Sequence, residues 1–350
     1  MCSHRCFRNK YCTHKNLYLY EFLARALKTR IRLWAIRSAL FISVNSINVK
    51  SAAMFKKVLV ALDFSPFSQK ILDRISEIPG IQEVVLVHVV DATRPARLDW
   101  TPGHPHIENP QILLEEKKRF LEQRGMRVTI NVDVIVNAIT QSPVSNAILE
   151  IAKTENVSLI VIGARGINPI QKLLLGSVSS SVIRYSMTNV LIMHFPPKSG
   201  DTLASPESSS QKLFSKVLVP TDFSQSASDA SAFVKNIPGI KEIVLLHVVN
   251  RAESQQDIEG YGKAAETRLE DMKKEFIDSG NDVKIHVGAG DPAELILSVA
   301  DEDNVSLIAM SAFGVDWIRE LVLGSTTFTV VRKTKKPVLI IRAGQENKIS

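Results

Sequence analysis

Cysteine is missing from most of this sequence: its three cysteines, Cys2, Cys6 and Cys12, all fall in the first 53 residues, so the remaining chain has no disulfide framework. A thiol-free body fits a reducing, cytoplasmic setting. Cys2, Cys6 and Cys12 with His4 and His14 contain no CxxC pair, and their spacing matches none of the usual zinc sites. Long apolar runs are also lacking. The stretch LWAIRSALFISV at 33–44 is broken by Arg37 and falls far short of the ~20 apolar residues a membrane span requires. A charge of one sign is missing from the body as well. The net +7 comes from residues 1–53, which hold ten Lys/Arg and only Glu21, whereas residues 54–350 carry 33 basic against 35 acidic groups. A pI near 9.2 is therefore no sign of nucleic-acid binding. Neither GxxxxGK[ST] nor GxGxxG occurs, which excludes a Walker loop and the usual dinucleotide fingerprint.

What the sequence does contain is a unit used twice. KVLVALDFS at 57–65 recurs as KVLVPTDFS at 216–224, and the same offset of 159 pairs IPGI at 78 with IPGI at 237 and VLVHVV at 85 with VLLHVV at 244. NVSLI at 156 recurs at 304, so the offset has fallen to 148 and the second copy is 11 residues shorter before that point. Between the copies, PPKSGDTLASPESSSQ is rich in Pro and Ser without apolar period and reads as a linker. The expected organisation is a basic extension over 1–53, a first domain over 54–195, a linker over 196–213, a second domain over 214–343 and a short tail. MFKKVLVALDFS opens directly into a strand, so the reading favoured for the extension is that translation begins at Met54. Either way it should be dispensable for folding. A targeting or membrane-surface peptide is the competing reading of this basic, acid-poor segment.

Within the first copy, β-branched runs at 57–62, 84–90, 127–136, 159–163 and 190–194 alternate with amphipathic segments at 68–78, 111–124, 144–155 and 177–186; the second copy repeats this over 216–342. Continuous apolar strands alternating with helices predict parallel βαβ crossovers. Each copy is expected to be a doubly wound α/β domain with strand order 3-2-1-4-5. Ligands of such sheets sit beyond the carboxyl ends of the strands where the order reverses, here between strands one and four.

Strand one ends at Asp63 and strand four at Gly163, where GARGINPIQKLLLGSVSS begins; SAFGVDWIRELVLGSTTF at 311–328 repeats the layout. Glycines at 163 and 166 permit positive φ and close backbone approach, and Gly176-Ser177 places N–H groups and a hydroxyl at a helix start, which suits a phosphate chain. A single glycine of this kind does no more than end a strand, and a serine no more than cap a helix; the spaced set points to a ligand. Asp63 has two readings, ligand contact or support of a turn with Ser65 as N-cap and Pro66 at the first helical position. His88 and His247, inside apolar strands, read as satisfied core histidines. His104 and His106 fall in a loop long enough to cover the pocket. Gly288-Ala289-Gly290 reads as a turn into Asp291-Pro292.

Gly163-x2-Gly166-x9-Gly176-Ser177, following a strand-one Asp in a βαβαβαβαβ domain, closely resembles the universal stress protein family in its nucleotide-binding branch, over nearly all of 54–342. The resemblance implies that ATP, with or without Mg²⁺, is held by Ala61, Asp63 and Val89 at the nucleoside and by Gly163, Gly166, Gly176, Ser177, Val178 and Ser179 at the phosphates. Arg165, inside the loop, reads equally as a group that neutralises a phosphate and as a solvated loop arginine. In the second copy it implies Pro220, Thr221, Asp222 and Val248, then Gly314, Gly324, Ser325, Thr326 and Thr327. Ser311 replaces the first glycine there, and a Cβ at a positive φ would be costly, so the second site is expected to be weaker or vacant.

The family also pairs final strands, which implies an intramolecular pseudo-dimer joining VLIMHF at 190 to VLII at 338, with a homodimer of chains as a further assembly. The expected function is a cytoplasmic ATP-binding stress-response module, with no nucleic acid or membrane partner. An ATP-hydrolysing or phosphotransfer enzyme and a nucleotide-free dimeric scaffold are the competing classes. The sequence offers no assigned base for hydrolysis.

Overall fold

A computed structural model describes residues 54–91, 109–135, 142–164, 175–195, 211–250, 254–313 and 323–342, all in the unit that runs from Ala53 onward. Residues 1–53, 92–108, 136–141, 165–174, 196–210, 251–253, 314–322 and 343–350, with the expected extension, linker and tail among them, lie outside the described residues.

The first repeat runs β1 (Lys57–Ala61), α1 (Pro66–Arg74), β2 (Glu83–Asp91), α2 (Pro110–Glu122), β3 (Arg127–Ile135), α3 (Pro143–Thr154), β4 (Leu159–Gly163), α4 (Ser177–Tyr185) and β5 (Asn189–Met193). The second runs β6 (Lys216–Pro220), α5 (Gln225–Lys235), β7 (Glu242–Val249), α6 (Gln255–Ile277), β8 (Asp282–Ala289), α7 (Pro292–Glu302), β9 (Leu307–Ser311), α8 (Ser325–Lys333) and β10 (Val338–Ile341). One ten-stranded sheet results, in the order β3-β2-β1-β4-β5-β10-β9-β6-β7-β8, and each repeat contributes the expected 3-2-1-4-5 arrangement.

Pairing is parallel inside each repeat and antiparallel only between β5 and β10, where Val190, Leu191 and Ile192 face Ile340, Leu339 and Val338. Positions 191 and 339 are equivalent under the repeat offset of 148, so a leucine pairs with its own counterpart and the seam has pseudo-twofold symmetry. Two apolar edges that would template aggregation if left open close on each other.

Alternation along the buried strands divides the core between two faces. Val58 and Val60 of β1 join the cluster that includes Leu72 of α1 and Leu114 and Leu121 of α2, while Leu59 joins the opposite cluster with Ile148 of α3 and Val182 of α4. The second repeat places α5 and α6 with the former face and α7 and α8 with the latter. The strand-to-helix turns at the carboxyl ends are thereby fixed from below by packed apolar rows.

Two equivalent residues adopt a conformation the sequence pattern does not announce. Phe64 and Phe223, one residue past the strand-one aspartates, have φ of 58° and 59°. A bulky side chain there costs roughly 1–3 kcal/mol. Each ring is held against the strand-two histidine, with centroids 4.3 Å apart for Phe64 and His88 and 4.4 Å for Phe223 and His247. His88 and His247 donate Nδ1–H to the carbonyls of Leu62 and Thr221 at 2.8 and 2.9 Å. Burial pushes the His88 pKa down despite that hydrogen bond and the nearby Asp63 carboxylate, so the ring is neutral at pH 7 and serves as a brace.

Candidate functional site

In the first repeat the crevice between β1 and β4 carries Ala61 at the end of β1, Asp63 two residues beyond, Val89 on β2 and Gly163 at the end of β4. Ala61 and Val89 are half-buried at the edge of the core face formed by α3 and α4. Asp63 supports the turn, as one of the two readings of its sequence context has it. Its Oδ1 accepts from the Ser65 amide at 3.0 Å and from the Ser68 hydroxyl at 2.5 Å, while its own amide donates to Ser68 Oγ at 3.1 Å. Ser65 caps α1 by accepting from the Ser68 amide, with Pro66 at the first helical position. One carboxylate oxygen thus holds the turn; the other has no hydrogen-bond partner among the described residues and is available to a ligand hydroxyl. Ser68, buried and absent from the sequence-based site, is the residue that fixes this carboxylate.

The phosphate end is built at the start of α4. Gly176 is the N-cap residue and supplies no side-chain cap, unlike Ser65, Asn109, Ser224, Ser254 and Asp291 at other helices. The N–H groups of Ser177, Val178 and Ser179 precede the first intrahelical bond, which runs from the Ser180 amide to the Gly176 carbonyl at 2.8 Å. Among the described residues nothing accepts from those three amides, and Ser177 is exposed. Three unspent donors with the positive end of a helix dipole fit an anion.

Several expectations for this end change. The Gly176 amide donates to the Ala164 carbonyl at 2.8 Å, so it is spent on closing the loop base and offers a phosphate only its lack of a side chain. Ser179 is buried and donates its hydroxyl to the Gly163 carbonyl at 2.7 Å, so it presents an amide, not a hydroxyl, to a ligand. Gly163 does not have positive φ, so this position does not require a glycine's backbone freedom. Arg165 and Gly166, and Gly314 in the second copy, lie outside the described residues.

The second repeat reproduces the frame with altered chemistry. Pro220 ends β6, buried Thr221 and exposed Asp222 follow, and Val248 lies on β7. Gly324 caps α8 without a side chain, its amide donating to Ala312 O at 2.9 Å, and Thr327 Oγ1 donates to Ser311 O at 3.1 Å. Ser325 and Thr326 open the helix as Ser177 and Val178 do. Asp222 Oδ1 accepts from the Ser224 amide at 3.0 Å, but Ala227 stands where the first copy has Ser68.

Ser311 is not strained, because the described non-glycine residues with positive φ are Phe64, Asn156, Phe223 and Asn304. The conformational objection to Ser311 is therefore withdrawn. A different obstacle takes its place: the Ser311 hydroxyl at 2.6 Å and the Ser226 hydroxyl of α5 at 2.9 Å both donate to the Phe313 carbonyl. These bonds tie the loop base of the second copy to the helix that follows its strand one. The equivalents in the first copy, Gly163 and Phe67, carry no hydroxyl to make such a tie.

A cavity of about 550 Å³ lies between the start of α3 and one side of α4 along its length, lined by Ser142, Asn146, Ser177, Ser180, Ser181, Arg184 and Tyr185. Of the candidate residues only Ser177 borders it, so it is a groove beside the phosphate end and not the nucleoside crevice. Among the described residues no group of three or more His, Cys, Asp or Glu could hold a metal ion, and no helix is long and apolar enough to cross a membrane.

The comparisons with known proteins agree with this architecture. A universal stress protein MJ0577 from Methanocaldococcus jannaschii is 32% identical over 155 residues, covering 37% of this chain and 96% of its own. A universal stress protein from Mycolicibacterium smegmatis is 24% identical over 278 residues, covering 74% of this chain and 87% of its own, a match that spans both repeats. The crystal structure of a universal stress protein from Archaeoglobus fulgidus superposes with a TM-score of 0.58 at 26% identity, covering 82% of this chain and 98% of the other. The model of the universal stress protein family matches residues 54–194 and again 213–342, so this chain belongs to the universal stress protein family as a tandem, two-repeat member.

Proposed function

We propose that this chain is a nucleotide-responsive binding module that holds ATP in its first repeat. The observation that carries the reading is the uncapped start of α4, where the amides of Ser177, Val178 and Ser179 have no acceptor among the described residues, opposite an Asp63 carboxylate with one oxygen to spare. In this reading the phosphates take those three amides and the Ser177 hydroxyl, with close approach permitted by Gly163 and Gly176 and completed by Arg165 and Gly166. The nucleoside lies over Ala61 and Val89, and Asp63 accepts from its hydroxyls. Mg²⁺, where it accompanies the nucleotide, enters bound to the phosphates, since the described residues supply no cluster of metal ligands.

The second repeat, with Pro220, Thr221, Asp222, Val248, Gly314, Gly324, Ser325, Thr326 and Thr327 in the corresponding places, binds more weakly because the Ser226 and Ser311 hydroxyls hold the Phe313 carbonyl at its phosphate end, a restraint that the first repeat lacks. Stress response, a cytoplasmic location and a homodimer of chains belong to the same proposal. Binding is favoured over hydrolysis because, among the described residues, no base is assigned to orient a water at the phosphate end, Asp63 being given to the nucleoside.

Titration calorimetry on nucleotide-stripped full-length protein tests the reading, and one tight ATP site per chain is expected. Replacing Ser177 with Glu puts a carboxylate where the phosphates bind, and a folded Ser177→Glu chain that binds ATP unchanged refutes the assignment. Steady-state turnover above background favours the enzyme, and no binding at all favours the scaffold.

A further inference from the structure

The repeat seam contains a reciprocal contact that neither repeat makes alone. One residue past each final strand stands His194 in the first repeat and Arg342 in the second, equivalent under the offset of 148. Each is next to its own loop base: the Ala164 amide donates to Met193 O at 2.9 Å, and the Ala312 amide to Ile341 O at 3.1 Å. Each also reaches across the seam to the other repeat. His194 Nε2–H donates to the Val331 carbonyl in α8 at 2.8 Å. Arg342 Nη2 donates to the Ile183 carbonyl in α4 at 2.6 Å and is 3.4 Å from that of Arg184. Positions 183 and 331 are again equivalent. These carbonyls belong to the last turns of α4 and α8, the two helices whose first turns form the candidate phosphate ends.

Arg342 is held tightly for a cation. It is 5% exposed, Nε and Nη1 have no partner among the described residues, and no carboxylate pairs with it in any described ion pair. Its counter-charge is the negative end of the α4 dipole, and its guanidinium lies 5.0 Å from the ring of Phe313 at the base of the second loop. One side chain therefore touches the loop base of the second repeat and the far end of the phosphate helix of the first. A further contact runs beside it, with the Arg184 guanidinium of α4 5.5 Å from the Phe328 ring in the first turns of α8.

We propose that the two phosphate ends are coupled across this seam, with Arg342 as the positioning residue through which nucleotide in the first repeat orders the loop base and α8 of the second. The inference rests on the nucleotide reading of the first repeat. A phosphate on the first turn of α4 restrains that helix; its last-turn carbonyls hold Arg342; Arg342 in turn buttresses Phe313. His194 returns the connection from the first loop base to α8. The two ends of one helix are engaged by different repeats, which gives the proposed coupling a contiguous physical route, and the exchange experiment below tests whether the two sites bias one another along it.

The test uses the full chain carrying Ser325→Glu, in which a carboxylate excludes phosphate from the second repeat, so that calorimetry reads binding to the first repeat alone. Saturating ATP is expected to slow amide hydrogen exchange at Ala312, Phe313 and the first two turns of α8 at least fivefold. In the Arg342→Met background the same ATP binding should persist while the slowing falls below twofold, and Arg342→Lys, which retains a donor on a long stem, should restore part of it. Should Arg342→Met fail to fold, His194→Phe severs the return contact on α8 and should remove the slowing there. Equal slowing with and without the seam contact overturns the coupling, as does ATP bound by the first repeat with no slowing in the second. A chain that binds no ATP overturns both the coupling and the nucleotide reading, and calorimetry separates that result from the others.

Discussion

Replacing Arg342 by methionine should leave the stability of the chain within ~1–2 kcal/mol of its starting value, despite removing a buried, hydrogen-bonded charge. Burial lowers the arginine pKa from its ordinary value to about 10. At ~1.4 kcal/mol per unit this corresponds to an energetic cost of ~3 kcal/mol for keeping the guanidinium charged inside the seam, and it is charged at pH 7. Against that stand the charge-assisted bond to Ile183 O, ~2 kcal/mol, and the combined attraction of the α4 terminus and the Phe313 ring, ~1–2 kcal/mol. The terms nearly cancel. Methionine retains the apolar stem and its packing, removes the desolvation cost and leaves the Ile183 carbonyl without its donor. Arg342→Ala, which also empties the space of the stem, should cost ~2–3 kcal/mol more than methionine. Urea unfolding followed by far-UV circular dichroism on the full chain gives both numbers. A methionine variant destabilised by more than ~4 kcal/mol would refute the balance and show that the seam contacts far outweigh the desolvation on which it rests.

Ser68→Ala should release the Asp63 carboxylate and weaken ATP binding roughly tenfold or more, about 1.4 kcal/mol in calorimetry, while a thermal melt moves little; unchanged affinity would deny Ser68 its positioning role. Ser311→Gly removes one of two hydroxyls from the Phe313 carbonyl and should raise ATP stoichiometry toward two, with Ser226→Ala adding to the effect; a stoichiometry fixed at one for the double variant would discard the loop-tie explanation. Asp303, where α7 ends, is raised by desolvation but lowered further by hydrogen bonds from Lys284 and His286 of β8, so its folded pKa lies below the usual carboxylate value. Its contribution is fully present above the unfolded value near ~4 and is lost as pH falls through the folded one. Asp303→Asn should therefore narrow its stability gap from the unmodified chain in acid titrations below pH ~4, and a gap that is constant with pH would contradict the ion-pair account.

The alternation of strands with helices and the two-copy architecture were legible because they depend on local apolar period and on self-similarity, both of which survive without coordinates, whereas the 3-2-1-4-5 order was an expectation of the doubly wound class that the sheet bears out. The β5 to β10 seam was legible in part from VLIM at 190 and VLII at 338, wholly apolar edges that need a partner, and in part from the resemblance to a family that pairs its final strands. The turn at Asp63 was readable in part, since Ser65 and Pro66 mark a helix start, but the role of Ser68 was not, because a serine inside a helix normally faces water. Left-handed Phe64 and Phe223 contradict residue preference outright and are explained only by rings on adjacent strands. The consumption of the Gly176 amide by Ala164, the carbonyl of Phe313 shared by Ser226 and Ser311, and the reach of Arg342 to Ile183 connect residues 12, 87 and 159 positions apart, or pit one polar contact against another. No period or spacing records which of several available partners a polar group selects. One signal was present: aligning the repeats puts Arg342 opposite His194, a cation placed directly after a buried strand.

That pairing of unlike residues has a genetic consequence. In a dimer of two identical single-repeat chains, any residue on the dyad is copied to both sides, so an arginine after the final strand would bring a second arginine to the same seam, and every substitution there would be tried in duplicate. Joining the repeats in one reading frame releases that constraint. The two halves of the seam can then drift separately, one keeping a permanent cation on its neighbour's helix and the other an imidazole, and a change that would be intolerable twice is admissible once.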